Sequence, residues 1–141
     1  ICIELAKKIA KDGEGTTKLI EVEVKNAKTK KDAEKIAKAI ISSNLVKCAV
    51  FGNDPNWGRI ICAMGNAGVD FNENMVDMYF GNQNIVKKGV AVGFNYEKVK
   101  DIIKKDTLKI TIDLNDGKEN STAFGCDMTL EYIKINALYT T

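Results

Sequence analysis

The sequence contains no histidine, and its 141 residues include a single proline (Pro55), a single tryptophan (Trp57) and, among many lysines, a single arginine (Arg59). The missing imidazole removes every Ser-His and Cys-His nucleophile arrangement, together with the commonest general base near neutral pH. It also removes zinc sites of the usual Cys/His kind, and Cys2, Cys48, Cys62 and Cys126 are too scattered to form a CxxC pair. They read as structural thiols in a reducing compartment, and no metal is expected. Long apolar runs are absent too, so nothing approaches a membrane span, and no signal pattern opens the chain. A cytoplasmic protein is the expectation. Charge of one sign is not in excess: a net +2 leaves lysines and carboxylates interspersed, with no basic face of the kind nucleic-acid binders need. Neither a membrane nor a nucleic acid is expected as partner.

What is present suits one globular domain with a real core, since 45% of the residues are hydrophobic and 28% charged. The chain opens inside an amphipathic pattern, with Cys2, Leu5, Ala6 and Ile9 on one face, and reads as a fragment whose first helix began earlier. Asp12-Gly13-Glu14-Gly15 ends that helix, with glycine expected as its left-handed cap. Ile20, Val22 and Val24 alternate with Glu21, Glu23 and Lys25 as a half-buried strand over 18–25. Thr29 and Asp32 resemble a helix cap, followed by the stripe Ala33, Ile36, Ala37, Ile40, Ile41. Leu45 to Phe51, an apolar run between Asn44 and Gly52, is expected as a buried strand.

Farther on, Val76, Met78 and Phe80 alternate, and Gly81-Asn82 turns into Ile85 and Val86 as a hairpin or meander. Asn95 caps a helix carrying Tyr96, Val99, Ile102 and Ile103. Leu108, Ile110, Ile112 and Leu114 form a strand closed by Asn115-Asp116-Gly117, and Ser121 to Cys126 is expected to pair with it. Met128, Tyr132, Ile135 and Tyr139 have helical spacing. The order of elements implies an α+β domain with a mixed or antiparallel sheet and packed helices.

The stretch FGNDPNWGRIICAMGNAGVDF, from Phe51 to Phe71, concentrates the rare residues. Pro55 pushes Asp54 out of the helical region, and Asn56 is a natural cap for a helix through Trp57, Ile60, Ile61 and Met64. By composition it is a strand-to-helix connection in which Trp57 and Arg59 serve architecture. From Val46 to Phe71 it is similar to the DPNWGR region of the ornithine acetyltransferase family, the bifunctional glutamate N-acetyltransferases of arginine biosynthesis. DGEGTTK at 12–18, STAFGCDMT at 121–129 and YIKINALYTT at 132–141 resemble three further family blocks, in the same order.

That resemblance implies a transferase that cleaves its own precursor, leaving a threonine at the head of a β chain as nucleophile. The threonine's α-amino group would act as base, which fits a chain without histidine. Acetyl would pass from N-acetylornithine to the threonine and then to glutamate in ping-pong order, with no cofactor; some members also accept acetyl-CoA. The nucleophile is expected upstream of this chain, so none of Thr16, Thr17, Thr140 and Thr141 is taken for it, and the chain alone should be inert. Carried over residue by residue, Glu14, Asn136 and Thr141 bind substrate: a carboxylate for an ammonium, an amide, and a hydroxyl with the terminal carboxylate. Residues 1–24 would end the catalytic-domain segment and 25–141 form the C-terminal α+β domain with its binding tail. The partners implied are the α chain of the precursor and the start of the β chain, in an αβ hetero-oligomer such as a heterotetramer. On the residues alone, Glu14 reads as a solvated carboxylate on a cap turn rather than a ligand site, and a ligand-sensing or assembly module without chemistry would share this architecture.

Overall fold

A computed structural model describes residues 1–139. In chain order the elements are α1 (Cys2–Lys11), β1 (Leu19–Ala27), α2 (Lys30–Ser42), α3 (Asn44–Phe51), α4 (Trp57–Gly65), a 3-10 turn (Glu73–Met75), β2 (Asp77–Phe80), β3 (Gln83–Lys87), β4 (Val90–Ala91), α5 (Tyr96–Ile103), β5 (Thr107–Asp113), β6 (Glu119–Cys126) and α6 (Leu130–Leu138). The strands form one mixed sheet in the order β4-β3-β2-β5-β1-β6. β1 and β5 run parallel, and every other pair is antiparallel.

Alternation decides the faces of the sheet. Ile20, Val22 and Val24 of β1, Leu108, Ile110 and Ile112 of β5, and Met78 and Phe80 of β2 all point inward and are buried. Ala33, Ile36, Ala37 and Ile40 of α2 cover that face, and Ile60, Ala63 and Met64 of α4 join the same core. On the opposite face Lys109 lies 2.7 Å from Glu23 and 4.0 Å from Glu21, and Lys7 of α1 reaches Glu21 at 3.0 Å. The hydrogen bond to Glu23 raises the Lys109 pKa. Such half-exposed pairs contribute little stability, typically about 0–1 kcal/mol each, so the inner face holds the fold.

Local capping follows the residue chemistry. Thr29 Oγ1 accepts from Asp32 N at 3.1 Å, Asn56 Oδ1 from Arg59 N at 3.2 Å, and Asn95 Oδ1 from Lys98 N at 3.0 Å. Each satisfies a backbone donor that has no partner within its helix. At the end of α1 the cap is Asp12, with φ −87°, and Gly15, at φ +67°, takes the left-handed conformation expected nearer the helix.

Two expectations are corrected. Residues 45–51 are not a strand but most of α3. Ser43 Oγ accepts from Val46 N at 3.4 Å to start the helix, and Val46, Ala49 and Val50 are buried at helical spacing while Leu45 and Cys48 stay exposed. A short apolar run satisfies either periodicity, and here packing chose the helical one. Trp57 is therefore reached from a helix through Asn53, at φ 55°, and Pro55. The second correction concerns β6, which pairs with β1 instead of β5. Both edges of β5 are already occupied, by β1 and β2. The chain after β5 crosses the end of β1, with Leu114 N, Asp116 N and Lys118 N donating to the carbonyls of Lys25, Asn26 and Ala27. A Cβ on Gly117 would sit 2.1 Å from the Ala27 carbonyl oxygen, so this crossing needs glycine.

Trp57 is half-buried against the core, and the Arg59 guanidinium donates to the Leu45 carbonyl at 3.1 Å, tying α4 to the start of α3. Both serve architecture. Truncating Trp57 should cost less than the roughly 3–5 kcal/mol of a fully enclosed tryptophan. The division at 24/25 falls inside β1, which runs unbroken through it. Among the described residues, no helix is long and apolar enough to cross a membrane.

Candidate functional site

The turn carrying Glu14 hangs between α1 and β1 and is held from three sides. Asp127, which is 2% exposed, lies just after β6. One carboxylate oxygen accepts from Thr17 N at 2.9 Å and from Lys18 N at 3.0 Å, and the other accepts from the Thr17 hydroxyl. Thr129 Oγ1 donates to the Gly15 carbonyl at 2.5 Å and accepts from Tyr132 N at 3.0 Å, so one hydroxyl both caps α6 and fastens the turn to it. A Cβ on Gly15 would lie 2.8 Å from Tyr132 N. Only glycine combines that close approach with a positive φ at no steric cost.

Lys18 makes the third attachment. Its ammonium donates to the Val50 carbonyl at 2.9 Å and to Asn53 Oδ1, which joins the turn to the end of α3. Met128 N donates to the Lys47 carbonyl at 3.3 Å and brings the same helix against the segment after β6. Blocks separated by more than a hundred residues thus meet at one place.

Burial lowers the Lys18 pKa, and the charge of Asp127 opposes that shift. An unfolded lysine keeps its proton up to about 10.5, whereas the folded one releases it earlier. Between those two values the unfolded chain binds more protons, so the lysine's contribution to stability rises with pH. We expect urea unfolding to show the parent protein gaining on Lys18→Met as pH rises toward 10.5. Parallel stability curves for the two proteins would show instead that Lys18 titrates as a solvated lysine does.

Two of the three residues expected to bind substrate come together. Asn136 Nδ2 donates to the Tyr132 carbonyl at 2.8 Å and approaches Glu14 Oε1 at 3.4 Å. The second distance exceeds that of a good N–H···O bond. Both side chains are exposed, and the contact leaves the Glu14 carboxylate open to a ligand's donor. Thr141 lies outside the described residues. Glu14 also lines a cavity of about 140 Å³, together with Thr16, Lys47, Asp127, Met128 and Tyr132, among others. A wider groove of about 570 Å³ beside Lys8, Ile9, Lys11 and Asp12 draws on the end of α1 alone and brings no second element's polar groups to converge. The smaller cavity is the candidate site. Among the described residues no cluster of side chains could hold a metal ion.

Sequence reasoning missed Lys18, Lys47, Asp127 and Thr129. Asp127 and Thr129 stood inside a recognisable block, and their polar side chains amid small apolar residues were the available signal. Lys18 and Lys47 also stood inside such blocks, but among many lysines their side chains carried no signal of their own.

The class these features define is an α+β domain that presents a small, charged cavity where its Glu14 turn, α3 and α6 meet. Residues 1–141 match the model of the ArgJ family. The chain belongs to that family. It is 52% identical over 138 residues to the arginine biosynthesis bifunctional protein ArgJ of Streptococcus thermophilus, covering 98% of this chain and 35% of that protein. It is 49% identical over 149 residues to the glutamate N-acetyltransferase of Methanocaldococcus jannaschii, covering 100% of this chain and 37% of the relative. The chain therefore spans about a third of the length of the curated relatives it matches. A crystal structure of the ArgJ protein from Bacillus halodurans superposes with a TM-score of 0.95 at 45% identity, over 98% of this chain and 65% of that one.

Proposed function

We propose that this chain is the substrate-capturing part of the β chain of a glutamate N-acetyltransferase, which moves acetyl from N-acetylornithine to glutamate through an acyl-threonine. The observation that carries the reading is the approach of Asn136, from the far end of the chain, to Glu14, which itself lines the cavity. The Glu14 carboxylate accepts hydrogen bonds from the substrate ammonium, Asn136 offers both a donor and an acceptor, and Thr141 adds a hydroxyl.

The nucleophilic threonine, generated by self-cleavage of the precursor, comes from the segment before this chain. Its hydroxyl attacks the acetyl carbonyl of N-acetylornithine, the amide C–N bond breaks, and ornithine leaves with the proton passed on by the threonine's α-amino group. The neutral amine of glutamate then attacks the ester. The C–O bond breaks, N-acetylglutamate departs, and the threonine hydroxyl is restored. No cofactor takes part, and members of the family that take acetyl from acetyl-CoA would form the same acyl-enzyme. The α chain and the start of the β chain dock on exposed apolar residues of α1 and α6, where Ile3, Leu5, Ile9, Leu130, Ile133 and Leu138 are each more than half exposed. They complete a cytoplasmic αβ hetero-oligomer. Residues 1–24 close the catalytic segment and the remainder forms the C-terminal domain, with β1 continuing from one into the other.

The test uses the full-length protein with N-acetylornithine and glutamate in the absence of acetyl-CoA. Ornithine and N-acetylglutamate should appear in equal amounts, and mass spectrometry of the donor-loaded enzyme should find one acetyl group on the threonine-led chain. No transfer, or transfer with no acetylated chain, would overturn the reading.

A further inference from the structure

The two edges of the sheet differ. At one edge β4 has only two residues, Val90–Ala91, too short to template pairing with another chain. At the other, β6 has eight, and its register with β1 is regular from Ser121 to Cys126. It has no proline and no lysine, and its one charge is Glu119 at the start, so the usual guards of an open edge are missing. Among the described residues its backbone bonds to β1 alone, which leaves alternate N–H and C=O groups turned outward without a partner. Phe124 stands opposite Glu21 and Gly125 opposite Ile20, so the two face opposite sides of the sheet. On the first side Lys7 of α1 lies 5.3 Å from the centre of the Phe124 ring; on the second a Cβ added to Gly125 would meet Ile41 of α2 at 3.0 Å. The helices thus flank β6 from both faces. A groove of about 450 Å³ is lined by both of them, through Ala6, Ile9 and Ala10 of α1 and Lys38 and Ile41 of α2, together with residues 122–125. A space bounded by helices on both faces of an end strand lies along that strand's free edge. A second groove of about 430 Å³, lined by Ile3, Lys7 and Lys30 with residues 120–122 among others, shares Thr122 and Phe124 with the first.

We propose that β6 is paired in the whole protein by an extended, acidic segment of the same protein from outside residues 1–141, which adds a seventh strand to the sheet between α1 and α2. The inference rests on the reading above that the rest of the protein docks against α1, and it adds a second, hydrogen-bonded surface to that contact. The chain spans about a third of the relatives it matches, so ample polypeptide lies outside it, and Ile9, which lines the groove, is 75% exposed. An added strand takes its affinity from main-chain hydrogen bonds and its specificity from the places that receive alternate side chains. Here Ile9, Ile41 and Phe124 receive apolar ones. Lys30 and Lys38 are exposed and take part in none of the ion pairs found among the described residues, so they call for carboxylates on the incoming segment. The same charges argue against a second copy of this chain, because pairing β6 with itself would bring lysines against lysines.

The experiment uses the full-length protein in two ways. In the unsubstituted protein, amide hydrogen exchange is followed residue by residue through β6. With the edge paired, every amide from 121 to 125 should exchange about a hundredfold or more slower than in an unstructured chain. An open edge would instead leave alternate amides exchanging at nearly the free-chain rate. Separately, Thr122→benzoylphenylalanine and Ile9→benzoylphenylalanine place a photo-crosslinker at two exposed positions of the groove, with Tm as the check that each variant folds. Mass spectrometry should find the Thr122 probe joined to a carboxylate-bearing segment outside residues 1–141. The inference requires both results. Free-chain exchange at alternate amides, a cross-link into residues 1–141 of a second copy, or no cross-link from position 122 would each overturn it. If the Ile9 probe still reaches outside residues 1–141, the docking on α1 stands without the added strand. If neither probe does, both readings fall.

Discussion

Replacing Asp127 with Ala is expected to lower the stability of the folded chain by about 3–5 kcal/mol, since each buried donor left without a partner costs roughly 1–3 kcal/mol and hydrogen bonds to charged groups are the stronger ones. The Thr17 and Lys18 amides and the Thr17 hydroxyl all donate to this one carboxylate, which is almost completely enclosed. Its loss also strips the buried Lys18 ammonium of the nearby negative charge that favours its protonated form. A total stability of about 5–15 kcal/mol is ordinary for a domain, so a large share would go. Asp127→Asn is the informative companion. Its amide oxygen can take both backbone donors and its NH₂ can donate to the Thr17 hydroxyl, so only the charge is removed, and the cost should fall to about 1–2 kcal/mol. Urea unfolding of the three proteins measures both. An Ala variant within about 1 kcal/mol of the parent, well below the sum expected for orphaned donors, would mean that water replaces the carboxylate and that the Glu14 turn is held by other contacts.

Glu14→Gln in the full-length enzyme should lower kcat/KM for N-acetylornithine by about tenfold to a hundredfold, the range for removing one charged hydrogen-bond partner. The side chain is exposed and its one contact is long, so Tm should hardly move. Self-cleavage of the precursor should persist, because it involves no substrate. The two variants separate support from contact: Asp127 fixes where the turn lies, whereas Glu14 reaches out from it. Unchanged turnover by Glu14→Gln would return this residue to a solvated carboxylate on a tight turn, even if Asp127→Ala proved as damaging as expected.

Much of this fold is legible in single stretches of sequence, because the forces that shape them act over a few residues. Ile20, Val22 and Val24, like Leu108, Ile110 and Ile112, declare half-buried strands through the two-residue period of a pleated backbone. Thr29, Asn56 and Asn95 mark helix starts because a short polar side chain reaches an amide three positions on. Gly81-Asn82 turns a hairpin for a reason equally local, a backbone at φ 55° that glycine adopts freely. The same short range misled at residues 45–51, where an apolar run reads as a strand but folds as a helix. Val46, Ala49 and Val50 find their burial as a helical stripe only once the rest of the core is assembled around them. No local pattern could assign β6 to β1 either, since that choice depended on which edges of β5 were already taken. The site depends most on tertiary structure. Asp127 meets Thr17 across 110 positions, Thr129 meets Gly15 across 114, and Asn136 approaches Glu14 across 122. Hydrogen bonds between residues so far apart leave no periodicity to read, because a carboxylate or a hydroxyl looks the same in sequence whether it faces water or a turn that folding has placed beside it.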